Sequence, residues 1–518
     1  LDALSLILGS GSSSLLSTKL REELKLVHAV DASNWTPGTV GVFYFALVCD
    51  PDKRDEAIAA LHERLANLMV EDFPSELVDK AVRQLLIAEV NARKTVSGQA
   101  SRFGAAEVVV GDIGYAGNYL RRVAGTTAGE LVRVSKEWLR KDRLTTVTLN
   151  PKDFESVDLS TVAVERSGND FAEFKQTNGS VLLMREDHRL PNLHIRVVMN
   201  GGSLYEEAGR QGATSLLATM LTKDTEKRTS LEVAAVVENA GGSFYEFSGN
   251  NSLGLALEVL PSDLDLALDV LEQSLFFSAF DEETFELEKS AHVAAIKEDQ
   301  DDIVTAGRHA LRDLFFGEHP FRLGGAGSLE TVEPLETSDL KALRAKLLTA
   351  GNLTIAVSGQ FDSESLKPRL ETLLAKTPKG EKPSSDAVFV KPHKPGIHRR
   401  KMDRQQAIVF HGFPGPGLLS DDYYVSEVAD EIFSGMSSNL FEQVREELGL
   451  AYFVCSSRIV GLDTALFYFF AGTSPEGYAQ VIEELIKEVD RVANGGVSEA
   501  ELNRCKTRLK ASRRMSQQ

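Results

Sequence analysis

The stretch REELGLAY, Arg445 to Tyr452, has a near copy 424 residues earlier in REELKLVH, Arg21 to His28. The same offset carries Gly11 onto Gly435, Ser13 onto Ser437, Ser14 onto Ser438, Leu16 onto Leu440 and Leu26 onto Leu450. It also carries Phe43-Tyr44-Phe45 onto Phe467-Tyr468-Phe469 and Pro51 onto Pro475. After one inserted residue, Glu76, Leu77 and Arg83 meet Glu501, Leu502 and Arg508. Register held over that length marks two copies of one structural unit, so a single core topology must form twice.

Each copy reads as a helix ending at a Gly/Ser turn, then a helix carrying REEL, then two strands and two further helices. The strands are LVHAVDAS and GVFYFALV in the first copy, LAYFVCSS and ALFYFFAG in the second. Their aromatic and β-branched content suits a sheet with one covered face. The last helices open near Ser75 and Ser498, each followed by an acidic residue that suits a helix start. In the second copy RRKMDRQQAIVFHGF (399–413) reads as a preceding strand. The first copy starts too late to contain its counterpart, and LDALSLILGSGSSS is therefore the helix matching VSEVADEIF rather than a signal peptide. The second copy stops about 60 residues short of the first by the same comparison. The expectation is that both ends of the chain fall inside domains and that Leu1 begins a fragment or processed product.

A third unit lies between the copies. Strands are expected at SVLLMRED, NLHIRVVMNGGS and NLTIAVSGQF, helices at GRQGATSLLATMLT and SLEVAAVVENAGG, and a hairpin at SFYEFSGNN and SLGLALEVL. Helices dominate from about residue 262 to 346. The expected organisation is residues 1–150 as the later part of one half-domain, a linker over 151–170, a full half-domain over 171–375, a Pro- and Lys-rich linker over 376–398, and a truncated half-domain over 399–518. The fold class is α+β: repeated two-layer half-domains, mainly antiparallel sheet with packed helices.

The 518 residues exceed what one core holds. The net charge of −19 repels phosphate backbones and anionic lipid, so no nucleic acid and no membrane partner is expected. No apolar run approaches the ~20 residues of a membrane helix. Cys49, Cys455 and Cys505 have neither metal nor disulfide spacing and read as free thiols. The glycine-rich GGAGS (324–328) and GPG (415–417) lack a P-loop Lys. The acidic EDQDD (298–302) lacks calcium-loop spacing and reads as a solvated loop or helix end. His319, in GEHPFR, reads as a turn cap or packing residue.

The order of parts resembles the insulinase/pitrilysin family of zinc metallopeptidases, to which insulin-degrading enzyme and the mitochondrial processing peptidase belong. The resemblance is carried by GGSLYEEAGRQGATSLLATML, ENAGGSFYEFSGNNSLGLALEVL, GEHPFRLGGAGSLETV and SSNLFEQVREELGLAY. Its members assemble half-domains of one α+β fold, four of which enclose a chamber. Their zinc motif is H-x-x-E-H on a helix, with a third ligand, Glu, about 76 residues on. Here the matching stretch is SLLAT. Ser215 and Thr219 stand for the two His, Ala218 for the base, and Ala295 for the third ligand. None of the four can do that work. The resemblance also implies that an Arg and a Tyr of the last half-domain reach across the chamber to the substrate. Arg445 and Tyr452 match that pattern. The first copy keeps Arg21 but has Lys25 for Gly449 and His28 for Tyr452.

The resemblance implies the C-terminal portion of a zinc-dependent endopeptidase. This chain would contribute substrate binding and oxyanion stabilisation through Arg445 and Tyr452, and would be inactive alone. Zinc would sit in a half-domain upstream of Leu1, with none bound natively here. The partners would be a peptide substrate and either that upstream half-domain or an active chain of the same family. The alternative is a non-catalytic peptide-binding or scaffold subunit beside an active partner. A periplasmic location is expected by family analogy.

Overall fold

The computed structural model describes residues 1–518 apart from residues 12, 37–40, 51–52, 93–95, 141–143, 149–170, 189–190, 386, 388, 390–395, 403, 436–437 and 517–518. The linker expected over 151–170, and Pro51 and Ser437 of the repeat, lie outside the described residues.

The first copy comprises α1 (Asp2–Gly9), a π-helical turn (Ser17–Glu23), β1 (Ala29–Trp35), β2 (Val42–Val48), α2 (Arg54–Ala66) and α3 (Ser75–Ala92). Three further helices follow: α4 (Val96–Ala105), α5 (Tyr115–Ala124) and α6 (Ala128–Trp138). The middle unit contains β3 (Ala172–Lys175), β4 (Val181–Glu186), β5 (Leu193–Asn200), α7 (Ala213–Met220), α8 (Ser230–Asn239), β6 (Ser243–Ser248) and β7 (Ser252–Val259). It continues with α9 (Leu264–Phe276), α10 (Glu282–Asp301), α11 (Ile303–Phe316), α12 (Leu329–Val332), α13 (Thr337–Leu347), β8 (Thr354–Gly359) and α14 (Ser363–Ala375). The second copy is β9 (Ala407–Gly415), α15 (Tyr423–Phe433), α16 (Asn439–Phe441), a π-helical turn (Glu442–Glu447), β10 (Ala451–Val460), β11 (Ala465–Thr473), α17 (Tyr478–Ala493) and α18 (Glu499–Ser516).

The two copies agree down to single hydrogen bonds. β1 pairs with β2 in the register Val30 to Leu47 and Ala32 to Phe45; β10 pairs with β11 in the register Val454 to Ala471 and Ser456 to Phe469. Leu24 N donates to Lys19 O at 3.1 Å, as Leu448 N does to Gln443 O; Leu26 N donates to Leu20 O at 2.9 Å, as Leu450 N does to Val444 O. Residues that the sequence reads as an ordinary helix around REEL form a π turn in both copies. That widening is characteristic of functional segments. Gly11 and Gly435 both take positive φ after the first helix.

The left-handed position that ends each π turn is Lys25 (φ 52) in one copy and Gly449 (φ 60) in the other. Only glycine takes that conformation without penalty. A Cβ on Gly449 would meet nothing within 4 Å, so the cost of adding one is conformational alone. Gly449→Ala should destabilise the second copy by about 1 kcal/mol in urea unfolding. No loss would show that the turn relaxes to another conformation.

Strand expectations hold for β1, β2, β4 to β8, β10 and β11, with ends shifted by a few residues. The strand read over 399–413 begins only at Ala407, because the charged segment before it has no alternating apolar face to bury. β3 was not expected; it is a four-residue edge strand with one partly buried side chain.

The middle sheet runs β3-β4-β8-β5-β7-β6, all antiparallel except β4 with β8. Its core packs Leu193, Ile195 and Val197 of β5 against Leu216 and Leu217 of α7. The second copy joins it through an aromatic cluster. Phe315 and Phe316 of α11 and the nearby Phe321 pack with Ile459, Leu466 and Tyr468. His319 serves there in both ways read from the sequence: its Nδ1 accepts from Phe321 N at 3.2 Å, and its ring lies among Phe316, Phe321 and Phe389. Burial lowers its basicity, which suits a neutral packed ring. Among the described residues no helix is long and apolar enough to cross a membrane.

Candidate functional site

The helix α7 carries the SLLAT stretch, and the chain anchors it firmly. Glu206 accepts hydrogen bonds from Gly212 N at 3.2 Å and Thr214 N at 2.7 Å, satisfying donors at the helix start. Burial raises the pKa of its carboxyl despite those bonds. Gly212 and Gly327 take positive φ, and a Cβ on Gly327 would lie 2.2 Å from Gln211 O. GGAGS is thus a close-packing loop against the start of α7.

The donor set on α7 does not fit zinc. Ala218 is fully buried and offers no ligand. Thr219 Oγ1 is 3.2 Å from both Ser215 O and Glu246 Oε1, so its hydroxyl is committed within the protein. Ala295 on α10 is exposed. Among the described residues no group of three or more His, Cys, Asp or Glu could hold a metal ion. Within EDQDD and its neighbour α11, Asp302 instead caps the helix by accepting from Thr305 N at 2.6 Å.

What α10 presents in that region is Glu288, seven residues before Ala295 and on the same helical face. Its carboxylate is 10% exposed and pairs with Lys223 Nζ at 3.0 Å and Arg21 Nη2 at 2.8 Å. Arg21 also donates from Nε to His28 O at 3.0 Å and from Nη1 to Glu22 at 2.6 Å. The His28 ring bonds Asp50 at 3.1 Å and holds that carboxyl below its ordinary range. The arginine of the first copy is therefore spent on fastening that copy to the middle unit. Sequence reading missed Glu288 and Lys223. Glu288 lies in a helix that also carries Glu282, Glu283 and Glu286, and nothing in the sequence marks it out from them.

Burial opposes ionisation of Glu288, but Lys223 and Arg21 outweigh it and hold its carboxyl below the usual glutamate range. A carboxyl depressed by folding stabilises fully above the unfolded-chain value of about 4.3 and loses that contribution as pH falls through the lower folded value. Hydrogen exchange in residues 17–23 should therefore accelerate below about pH 4. Glu288→Gln should remove that acid step, and an acid step that persists in the variant would contradict the assignment.

The equivalent arginine in the second copy is placed otherwise. The Arg445 side chain is 45% exposed, its nearest carboxylate is Glu446 at 3.7 Å, and its guanidinium lies over the Phe441 ring at 4.9 Å. That ring has no counterpart in the first copy, where Ser17 takes its position. Tyr452 is 63% exposed, with no hydrogen bond from its hydroxyl among the described residues. It sits between Ala451, paired with Thr473, and Phe453, paired with Gly472, so it is the extra residue of a β-bulge. A bulge redirects a side chain out of the strand's normal alternation. Thr473, fully buried, fixes this corner by donating to Leu450 O at 2.5 Å.

The model of the peptidase M16 inactive domain matches residues 1–85 and 334–509, and that of the insulinase family, peptidase family M16, matches residues 181–314. The chain belongs to peptidase family M16. Among similar proteins is an uncharacterized zinc protease of Rickettsia bellii (strain RML369-C), 27% identical over 347 residues, or 66% of this chain and 83% of that protein. Another is the uncharacterized zinc protease YmxG of Bacillus subtilis (strain 168), 26% identical over 347 residues, or 65% of this chain and 82% of that one. The M16 inactive domain of Pseudomonas fluorescens superposes with a TM-score of 0.61 at 21% identity, covering 66% of this chain and 84% of that one. A protease from Helicobacter pylori gives the same TM-score at 17% identity. The insulinase-type match falls on the middle unit; the inactive-domain match falls on both copies and on the end of the middle unit from residue 334.

Proposed function

We propose that this M16 chain is the substrate-gripping portion of a zinc-dependent peptidase. The zinc is supplied by another half-domain of the family, either in the same protein or in a partner chain. The observation that carries this reading is the contrast between two equivalent arginines. Arg21 is buried against Glu288, whereas Arg445 and Tyr452 stand exposed on a π turn and a bulge. Arg445 can hold peptide carbonyls or a carboxylate through several donors. The Tyr452 hydroxyl can donate to the oxygen of the scissile carbonyl as negative charge develops there. Enclosure between half-domains would limit substrates to peptides that fit the space.

Ser215, Ala218 and Thr219 also favour a second reading, a non-catalytic subunit that binds peptide for an active partner. The two readings separate in the assembled protein. Under the first, chelation abolishes turnover and variants of Arg445 or Tyr452 lower it. Under the second, those variants change peptide binding alone. The 518-residue chain by itself should cleave no peptide and hold no stoichiometric zinc. Chelator-sensitive turnover with one zinc per chain would overturn the assignment of α7.

A further inference from the structure

The end of α8 is docked on the first copy in a defined groove. The Glu238 carboxylate accepts hydrogen bonds from Lys80 and Ser13, and Asn239 O accepts from Arg83 at 3.4 Å. Gly241 (φ +72) then lets the chain pass so close that a Cβ would lie 2.7 Å from Ile87. The carboxylate itself fills the space beside Gly11, where a Cβ would meet it at 2.3 Å.

The second copy has the same groove between α15 and α18, and among the described residues no helix end enters it. It is an open cleft of about 520 Å³. Gly435 stands for Gly11, Ser438 for Ser14, Cys505 for Lys80 and Arg508 for Arg83. Arg508 puts its guanidinium where the carboxylate lies in the first copy: a Cβ on Gly435 would meet Nη1 at 2.5 Å. Its Nε pairs with Glu431 at 2.8 Å. Arg504 also lines the cleft, while the lining carboxylate of Glu501 is taken by Arg491 at 2.9 Å. Two guanidiniums thus face one other lining carboxylate, Glu431, and the cleft suits an incoming anion.

We propose that this cleft docks the C-terminal end of an α8-type helix from a second M16 half-domain, with the helix-end carboxylate paired to Arg508. The first copy shows the approach: the helix end comes in over the glycine, its carboxylate here meeting the Arg508 guanidinium that fills the space beside Gly435, and a Gly-Gly step follows over α18. This rests on the reading that the chain works beside another half-domain, but its test needs no turnover, so either can fail alone.

Cys505 sits in the cleft and reports on it. The probe is a synthetic peptide of residues 227–243 of this chain, whose own copy of that segment already occupies the first groove. With a Kd of roughly 0.2 mM, about 1 mM peptide should slow maleimide labelling of Cys505 about six-fold and leave Cys455 unchanged. The Glu238→Gln peptide, and the Arg508→Ala chain, should each lose the protection, while Arg508→Lys retains part of it. A hydrocarbon-stapled peptide removes the cost of forming the helix. If neither peptide protects Cys505, or if the Glu238→Gln peptide protects equally, the proposal is overturned.

Discussion

Tyr452→Phe should lower kcat/KM of the assembled peptidase by about a hundred- to a thousand-fold, the range seen when a single oxyanion donor is lost. The substitution removes one oxygen from a side chain that is already 63% exposed. Thermal unfolding should therefore be unchanged, because no buried partner is left unsatisfied. The loss should appear mainly in kcat, since the donor acts where charge develops in the transition state. A rise in KM with kcat intact would make Tyr452 a binding contact only. Unchanged kinetics would remove it from the site.

Lys80→Met should have the largest effect on stability. The Lys80 side chain is 3% exposed and Glu238, its partner across the boundary between first copy and middle unit, is 15% exposed. Removing one member of a buried pair leaves the other uncompensated, at a cost of about 3–5 kcal/mol. The loss should localise to the contact of α3 with α8, read as faster hydrogen exchange in both helices during mild urea unfolding. Lys80→Met combined with Glu238→Leu should recover most of it, because an apolar pair of similar volume carries no stranded charge. If the double variant is no better than the single one, the pair is not the source of the stability.

Much of this architecture was legible in the sequence because the repeat fixes register as well as topology. Phe43-Tyr44-Phe45 and Phe467-Tyr468-Phe469 fall on matched strands with matched partners. Ser215, Ala218 and Thr219, which the structure places on α7, and Ala295, on α10, were equally legible as residues that offer zinc no strong donor. What the repeat could not show is how differently the two equivalent arginines are placed. Arg21 and Arg445 sit in the same π turn, and the local differences, Ser17 for Phe441 and Lys25 for Gly449, do not say which of the two is tied down. Glu288 and Lys223, which engage only one of the two, come from a different unit 200 or more residues away in the chain. The bulge at Tyr452 was hidden for a related reason. It depends on how Ala451 and Phe453 pair across to β11, and alternating patterns do not reveal a one-residue slip at a strand end. The groove between α15 and α18 became recognisable only once its filled counterpart was seen in three dimensions.

Under the proposed function, one repeated arginine fastens the fold in one copy and grips substrate in the other. The most direct measurement compares Arg21→Ala and Arg445→Ala in the assembled peptidase, with kcat/KM and unfolding midpoint recorded for each. The predicted pattern is crossed. Arg445→Ala should lose activity and keep its midpoint, whereas Arg21→Ala should lose stability by about 1.5–3 kcal/mol as Glu288 loses one of its two partners and keeps Lys223, with catalysis intact at temperatures where it remains folded. An Arg445→Ala enzyme of normal activity and lowered midpoint would contradict the account and leave that residue a structural one.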